Sequence, residues 1–231
     1  MSSEKLVNNC ENCTAAWKNF KNLSKSEIRL LNENRYEATF KPGEIILKQG
    51  SPASNAVFLA AGMAKIYIEG FDGKNFILGI ALPSRLVIGP GVHVHARHSY
   101  SVSALTAVQA CFISFEVINQ LIRQNAAFAS GMIEDLSVKS YALHSKLVSL
   151  TQKKMPGRLA EAILFFADEV YKSDSFDIIL SRQELGEMTN MAKESVVRIL
   201  KELETSGVVE SNCSIIQILD KEKLRLISER G

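Results

Sequence analysis

The residue grammar of this chain changes at Phe115, and that switch limits its architecture more than any other feature. From Tyr36 to Phe115 it is built of short apolar or alternating runs, residues 44–48, 56–59, 64–69, 75–81, 99–105 and 110–115. Turn signals separate them: Lys41-Pro42-Gly43, Gly50-Ser51-Pro52, Ala61-Gly62, Asp72-Gly73, Pro83-Ser84 and Gly89-Pro90-Gly91. Short period-two runs bounded by Gly, Pro and Asp read as strands. Asp72-Gly73, between two such runs, is a strong signal for a two-residue hairpin. Many short strands at this spacing predict an antiparallel sandwich or jelly roll.

After Phe115 the pattern is helical for about 35 residues. Ile133, Leu136, Ser140, Leu143, Leu147 and Leu150 recur at spacings of three and four, the a/d seam of a coiled coil. An amphipathic helix packed on its own domain would show a similar stripe. No Pro or Gly interrupts the chain between Met132 and Met155, and a parallel dimer seam is the reading preferred here. Residues 17–31 also read as helical, with Ser24 and Glu27 in capping-box register. The expected class is α+β: an N-terminal antiparallel β jelly roll (1–130), a long dimerisation helix (131–153) and a C-terminal winged helix-turn-helix (154–231).

The last assignment rests on local chemistry. Met155-Pro156-Gly157 punctuates the chain as a hinge, a helix is expected over 158–171, and a short strand over 176–180. Ser181 then stands three residues before Glu184, a second capping box. Asn190 falls where a tight turn needs a residue tolerant of left-handed backbone. A second helix over 192–204 would bury Val196, Ile199, Leu200 and Leu203 and present Lys193, Glu194, Val197, Arg198 and Lys201. Apolar runs at 208–210 and 215–219, around Ser211-Asn212-Cys213, add a wing.

Such a second helix suits the major groove. Arg198 has the fork that pairs with guanine O6 and N7, and Glu194 accepts from the cytosine amino group. Spaced by four, these two can also brace each other. Lys193 and Val197 complete the candidate base-reading face, while Arg182, Gln183, Thr189 and Ser195 are candidate phosphate donors at the groove margins. A plain helix hairpin would carry a Glu–Arg pair too, but it would not require the wing.

Bulk properties agree without deciding. The 231 residues are 46% hydrophobic and 23% charged, an ordinary globular balance, and the net charge of +2 neither favours nor excludes nucleic acid. No apolar run reaches membrane-spanning length, and the opening MSSEKLVNNCENC lacks the apolar core of a secretory signal. A cytoplasmic protein with no membrane partner is expected. Four cysteines are too few for a disulfide scaffold at this length.

With these motifs in view, residues 18–225 resemble the Crp/Fnr superfamily of dimeric transcription regulators. The resemblance is carried by Phe20-x-x-Leu23-Ser24-x-x-Glu27, by the run from Phe40 to Gly50, by Val57 to Ile66, and by Ile113-Ser114-Phe115. It is strongest over Ser181-Arg182-Gln183-Glu184-Leu185 and Lys193 to Leu200, which include the family's specificity-determining E-x-x-x-R as Glu194 and Arg198. It implies a non-enzymatic homodimer on a palindromic site in double-stranded DNA, contact with RNA polymerase, and a sensory jelly roll.

The sensor end departs from the family's best-known pattern. Cyclic-nucleotide members carry G-E followed by R-[ST]-A. Here no acidic residue follows Gly89, and His98 stands where the arginine would precede Ser99. Arg97 is one residue away, aimed at the other face of an extended chain. A cyclic nucleotide is therefore not the expected effector, and the cofactor is left open. Cys10-x-x-Cys13 with Cys111 is similar to the iron–sulfur branch of the family, but such a cluster needs four thiolates and the remaining Cys213 lies in the wing. His93, His95 and His98 are read as loop histidines without a ligand, with His93 and His95 the metal candidates. A cupin-like metalloenzyme would use His93 and His95, yet lacks its following carboxylate and leaves the C-terminal third without a role.

Overall fold

A computed structural model describes residues 10, 11, 13, 16–87 and 96–231. Its chain falls into two compact units: residues 1–66 with 80–139, and residues 67–79 with 140–231.

In the first unit a 3₁₀ turn, Lys18–Asn22, leads into α1 (Lys25–Glu33). The Ser24–Glu27 capping box forms as expected: Glu27 N donates to Ser24 Oγ at 3.4 Å and Ser24 N to Glu27 Oε2 at 2.7 Å. The Ser24 N–H, joined by the Ser24 hydroxyl and the Asn125 amide, holds the Glu27 carboxyl below its ordinary range. Eight strands follow along the chain, of which the end of β4 and most of β5 are assigned to the second unit: β1 (Arg35–Phe40), β2 (Ile45–Leu47), β3 (Asn55–Ala61), β4 (Ala64–Glu69), β5 (Asn75–Ala81), β6 (Leu86–Val87), β7 (Ser101–Ala104) and β8 (Val108–Ser114). They form two four-stranded sheets, ordered β1-β8-β3-β6 and β2-β7-β4-β5. This is the expected jelly roll, with β1 and β6 added to what the apolar runs predicted.

The β4–β5 turn shows why Asp72-Gly73 is needed. Lys74 N donates to Phe71 O at 3.2 Å, and the two central residues have φ of 58° and 70°. Two successive positive φ values define the type I′ turn, whose twist matches that of its strands.

Outside the sheets, α2 (Phe115–Gln124) and α3 (Ala126–Gln152) share the helical stretch that had been expected to run unbroken. Asn125 divides them. Its Oδ1 accepts from Phe128 N at 2.9 Å, capping α3, while Nδ2 reaches Asn22 O at 3.0 Å and the Glu27 carboxylate. A core of Trp17, Phe20, Ile28, Leu31, Phe58, Ile113, Leu121 and Phe128 joins these helices to the β1-β8-β3 sheet. The Trp17 ring lies 5.8 Å from Phe20 and Phe128 and 5.9 Å from Phe58.

Along α3 the proposed seam faces outward. Ile133 is 66% exposed, Leu136 46%, Leu143 49% and Leu147 61%, and Leu150 is half-buried. Four large apolar side chains of this one helix are thus exposed.

In the second unit α3 bends into α4 (Met155–Phe165), with Pro156 in its first turn. Glu161 of α4 ties back across the bend, accepting from Ser149 Oγ and pairing with Lys153 at 3.2 Å. Beside it Lys146 sits with its Nζ 5.6 Å from the Phe76 ring centroid. The helix expected over 158–171 stays α-helical only to Phe165. Phe166–Tyr171 is a π segment, ended by Lys172 in left-handed conformation. There Tyr171 stacks on Phe176 at 5.0 Å, and its hydroxyl accepts from Ile179 N at 3.0 Å. The remaining elements are β9 (Ser175–Asp177), α5 (Arg182–Thr189), α6 (Lys193–Thr205), β10 (Val209–Asn212), β11 (Ile215–Ile218) and α7 (Lys221–Arg230). The strands form an antiparallel sheet in the order β10-β11-β9.

Candidate nucleic-acid interface

Helix α5 begins at the Ser181–Glu184 capping box, with Glu184 N donating to Ser181 Oγ at 3.2 Å and Ser181 N to Glu184 Oε2 at 2.8 Å. It ends at Asn190, which adopts φ 52° and ψ 58°, the left-handed conformation for which Asn was singled out. The turn then closes by Met191 N donating to Gly186 O at 3.0 Å. Gly186 is a residue the sequence reasoning passed over: a Cβ there would lie 2.5 Å from Met191 O. Arg158 was passed over too. Its Nη1 donates to Asn190 O at 3.2 Å, fastening α4 to the turn.

Helix α6 sorts its residues as the spacing predicts. Val196, Ile199, Leu200 and Leu203 are buried, which fixes the opposite face outward. Lys193, Glu194, Val197 and Arg198 are all exposed on that face. Val197 is 49% exposed, so an apolar side chain stands in water between charged neighbours. A shallow groove beside it is lined by Val197, Arg198, Lys201 and Glu202.

Three expectations need correcting. Arg198 is not braced by Glu194: its Nη1 pairs with Glu202 at 2.5 Å. Both glutamates stand four residues away, but Glu194 lies in the first turn, where free backbone N–H groups and the helix dipole favour a carboxylate. Thr189 is buried, and its hydroxyl donates to Leu185 O at 2.6 Å rather than facing a groove margin. Arg182 is half-buried. Its Nη2 donates to Ser211 Oγ at 2.9 Å and Cys213 O at 2.7 Å, clamping the wing onto α5. Burial lowers its affinity for the proton, and Glu204 opposes that fall. Gln183 is exposed and Ser195 half-buried.

At the sensor end, His93 and His95 lie outside the described residues. His98 is not the surface histidine expected. It is 6% exposed, with Nδ1 buried and unpartnered, and burial lowers its pKa. Backbone bonds from His98 N to Ser51 O at 3.0 Å and from Gly50 N to His98 O at 2.8 Å hold it turned inward. Cys10, Cys13 and Cys111 line one small cavity, and Cys213 is exposed in the wing turn. Among the described residues, no group of three His, Cys, Asp or Glu side chains is disposed to hold a metal ion.

Two family models match the chain. One, described as a cyclic nucleotide-binding domain, covers residues 37–125; the other, a Crp-like helix-turn-helix domain, covers residues 157–227. Among curated proteins, the transcriptional activator protein anr of Pseudomonas aeruginosa is 24% identical over 188 residues, spanning 80% of this chain and 77% of that protein. The cAMP-activated global transcriptional regulator CRP of Salmonella typhimurium is 25% identical over 177 residues, spanning 75% of this chain and 84% of that protein. Among solved structures, FixK2 from Bradyrhizobium japonicum superposes with a TM-score of 0.77 at 17% identity, covering 85% of this chain and 98% of that one, which bears on the fold. Neither the cupin reading nor the iron–sulfur reading finds support in these matches. With its jelly roll, long helix and winged helix-turn-helix, the chain belongs to the Crp/Fnr family of DNA-binding transcription regulators.

Proposed function

We propose that the protein works as a cytoplasmic homodimer, laying two copies of α6 into successive major grooves of a palindromic site. The observation that carries this reading is the division of α6 into a buried scaffold and an exposed face bearing Lys193, Glu194, Val197 and Arg198. Arg198 reads guanine and Glu194 the cytosine amino group, with Val197 against a thymine methyl and Lys193 at the groove edge. Gln183 and Ser195 hold phosphates, and Arg182 contributes through the wing it clamps. Seam residues Ile133, Leu136, Leu143, Leu147 and Leu150 pair the two long helices, which separates a jelly-roll region (1–130) and a DNA-binding region (154–231) by a dimerisation helix. The output is contact with RNA polymerase rather than catalysis. The input is a signal at the jelly roll other than a cyclic nucleotide, since the buried His98 stands where the phosphate-binding arginine would be and the adjacent Arg97 donates to Gly50 O at 2.5 Å.

The test selects the preferred duplex from a random pool and measures Arg198→Ala against it. Specific binding should weaken by about 1–3 kcal/mol while weak nonspecific binding persists. An unchanged affinity for the selected site would refute the recognition-helix assignment. In parallel, Leu143→Glu with Leu147→Glu should sediment as a monomer at concentrations where the parent is a dimer. A variant that stayed dimeric would place the seam elsewhere.

A further inference from the structure

The cavity in the first unit combines features that DNA recognition does not use. Cys10, Cys13 and Cys111, three of the chain's four cysteines, line it together with Trp17, Arg35 and Glu37. One of its polar groups points to a ligand. Trp17 is 2% exposed, and its indole Nε1 is buried with no hydrogen-bond partner among the described residues. Arg35, with its side chain 9% exposed, pairs with Glu37 at 2.5 Å and donates from Nη1 to Cys111 Sγ at 3.6 Å. A buried indole N–H left unpaired is costly unless something small fills its place. The volume is about 30 Å³. One water needs roughly 10–15 Å³, so the space suits two oxygen atoms and excludes bulky molecules.

We propose that this cavity is a peroxide-reactive thiol site, in which hydrogen peroxide converts Cys111 and one of Cys10 or Cys13 into an intramolecular disulfide. The Cys111 sulfur attacks one peroxide oxygen as the O–O bond breaks. The departing hydroxide takes up the thiol proton as water, and Cys111 becomes a sulfenic acid. The sulfur of Cys10 or Cys13, losing its own proton, then displaces hydroxide from the sulfenic sulfur, which leaves as a second water. Two thiols lose two electrons and two protons, and one peroxide becomes two waters. Arg35 favours the thiolate of Cys111. The Trp17 N–H donates to the peroxide and orients it. Burial pushes the Cys10 thiol up to about 11 and raises that of Cys111, so both rest protonated at neutral pH; Arg35 opposes the rise at both and also hydrogen-bonds Cys111.

The experiment treats the reduced, chelator-washed full chain with equimolar hydrogen peroxide, then alkylates free thiols and measures intact and peptide masses. Trp17 is the chain's single tryptophan, so its fluorescence follows the same reaction. The expected product is lighter by two hydrogen atoms, carries a disulfide from Cys111 to Cys10 or Cys13, and leaves Cys213 alkylatable. Hydrogen peroxide should react at least about tenfold faster than cumene hydroperoxide, because the larger oxidant does not fit the cavity. Cys111→Ser should abolish the mass loss. Since that buried change also risks the fold, Arg35→Lys supplies a second arm: slower oxidation with unchanged circular dichroism. Oxidation first at Cys213, oxygen addition without a disulfide, equal rates for the two peroxides, or no reaction would each overturn the proposal.

Discussion

Replacing Lys146 with methionine should stabilise the protein at neutral pH, and the gain should vanish in alkali. Lys146 is held in the second unit against Phe76, and burial lowers its pKa from the ordinary 10.5 to about 8, with Glu161 opposing the fall. Each pH unit is worth about 1.4 kcal/mol, so keeping this ammonium charged in the folded state costs about 3 kcal/mol. The cation over the Phe76 ring returns about 1 kcal/mol of that. Methionine keeps the unbranched stem and drops the charge, giving an expected net gain of about 2 kcal/mol. Below pH 8 the lysine is protonated in both folded and unfolded chains, and the whole cost is present. Between about 8 and 10.5 the folded chain loses its proton first, the unfolded chain binds more protons, and the parent's stability rises with pH. Above that window parent and variant should match. Urea unfolding of both proteins at pH 7, 9 and 10.5, at one fixed protein concentration, reads the difference directly. A variant less stable than the parent at pH 7, or a gap that did not close with pH, would refute the burial argument.

Two further changes probe the interface itself. Gly186→Ala puts a methyl 2.5 Å from Met191 O, so the α5–α6 turn must open. Thermal unfolding should show a loss of about 1–3 kcal/mol, together with weakened operator binding in a shift assay. Glu202→Gln removes the partner of Arg198 in an exposed pair, so stability should move by less than about 0.5 kcal/mol. Operator affinity should rise, because Arg198 no longer exchanges one carboxylate for a base and a negative charge leaves the groove. A fall in affinity would mean that Glu202 positions Arg198 rather than competing for it.

The DNA-binding end was readable from the sequence because its determinants are local. Ser181 and Glu184, Asn190, and the spacing of Val196, Ile199, Leu200 and Leu203 each act within a turn or two of helix. What escaped depends on distant chain. Asn125 is one polar residue in a helical run, and only its bonds to Asn22 and Glu27 reveal a helix boundary. β1 does alternate, with Tyr36, Ala38 and Phe40 on one face, but Tyr36 is exposed while the paired Arg35 and Glu37 are the more buried side, so the usual match of apolar with buried is reversed there. For Arg182 and Thr189 the residue type gave the donor correctly, and tertiary packing decided what it donates to. Arg198 had a glutamate at four residues in either direction, a tie that spacing alone does not break. His98 looked like a loop residue until backbone bonds to Gly50 and Ser51 turned it inward.

The division of labour on α6 has a consequence for how such a regulator changes over time. Its anchoring residues and its outward ones are different residues, interleaved along thirteen positions of one helix. Lys193, Glu194, Val197 and Arg198 bear little of the packing, and exposed positions of this kind tolerate substitution at a cost within about 0.5 kcal/mol. On the proposed reading of α6, the vocabulary of the protein can be rewritten one letter at a time while the scaffold that pronounces it stays folded.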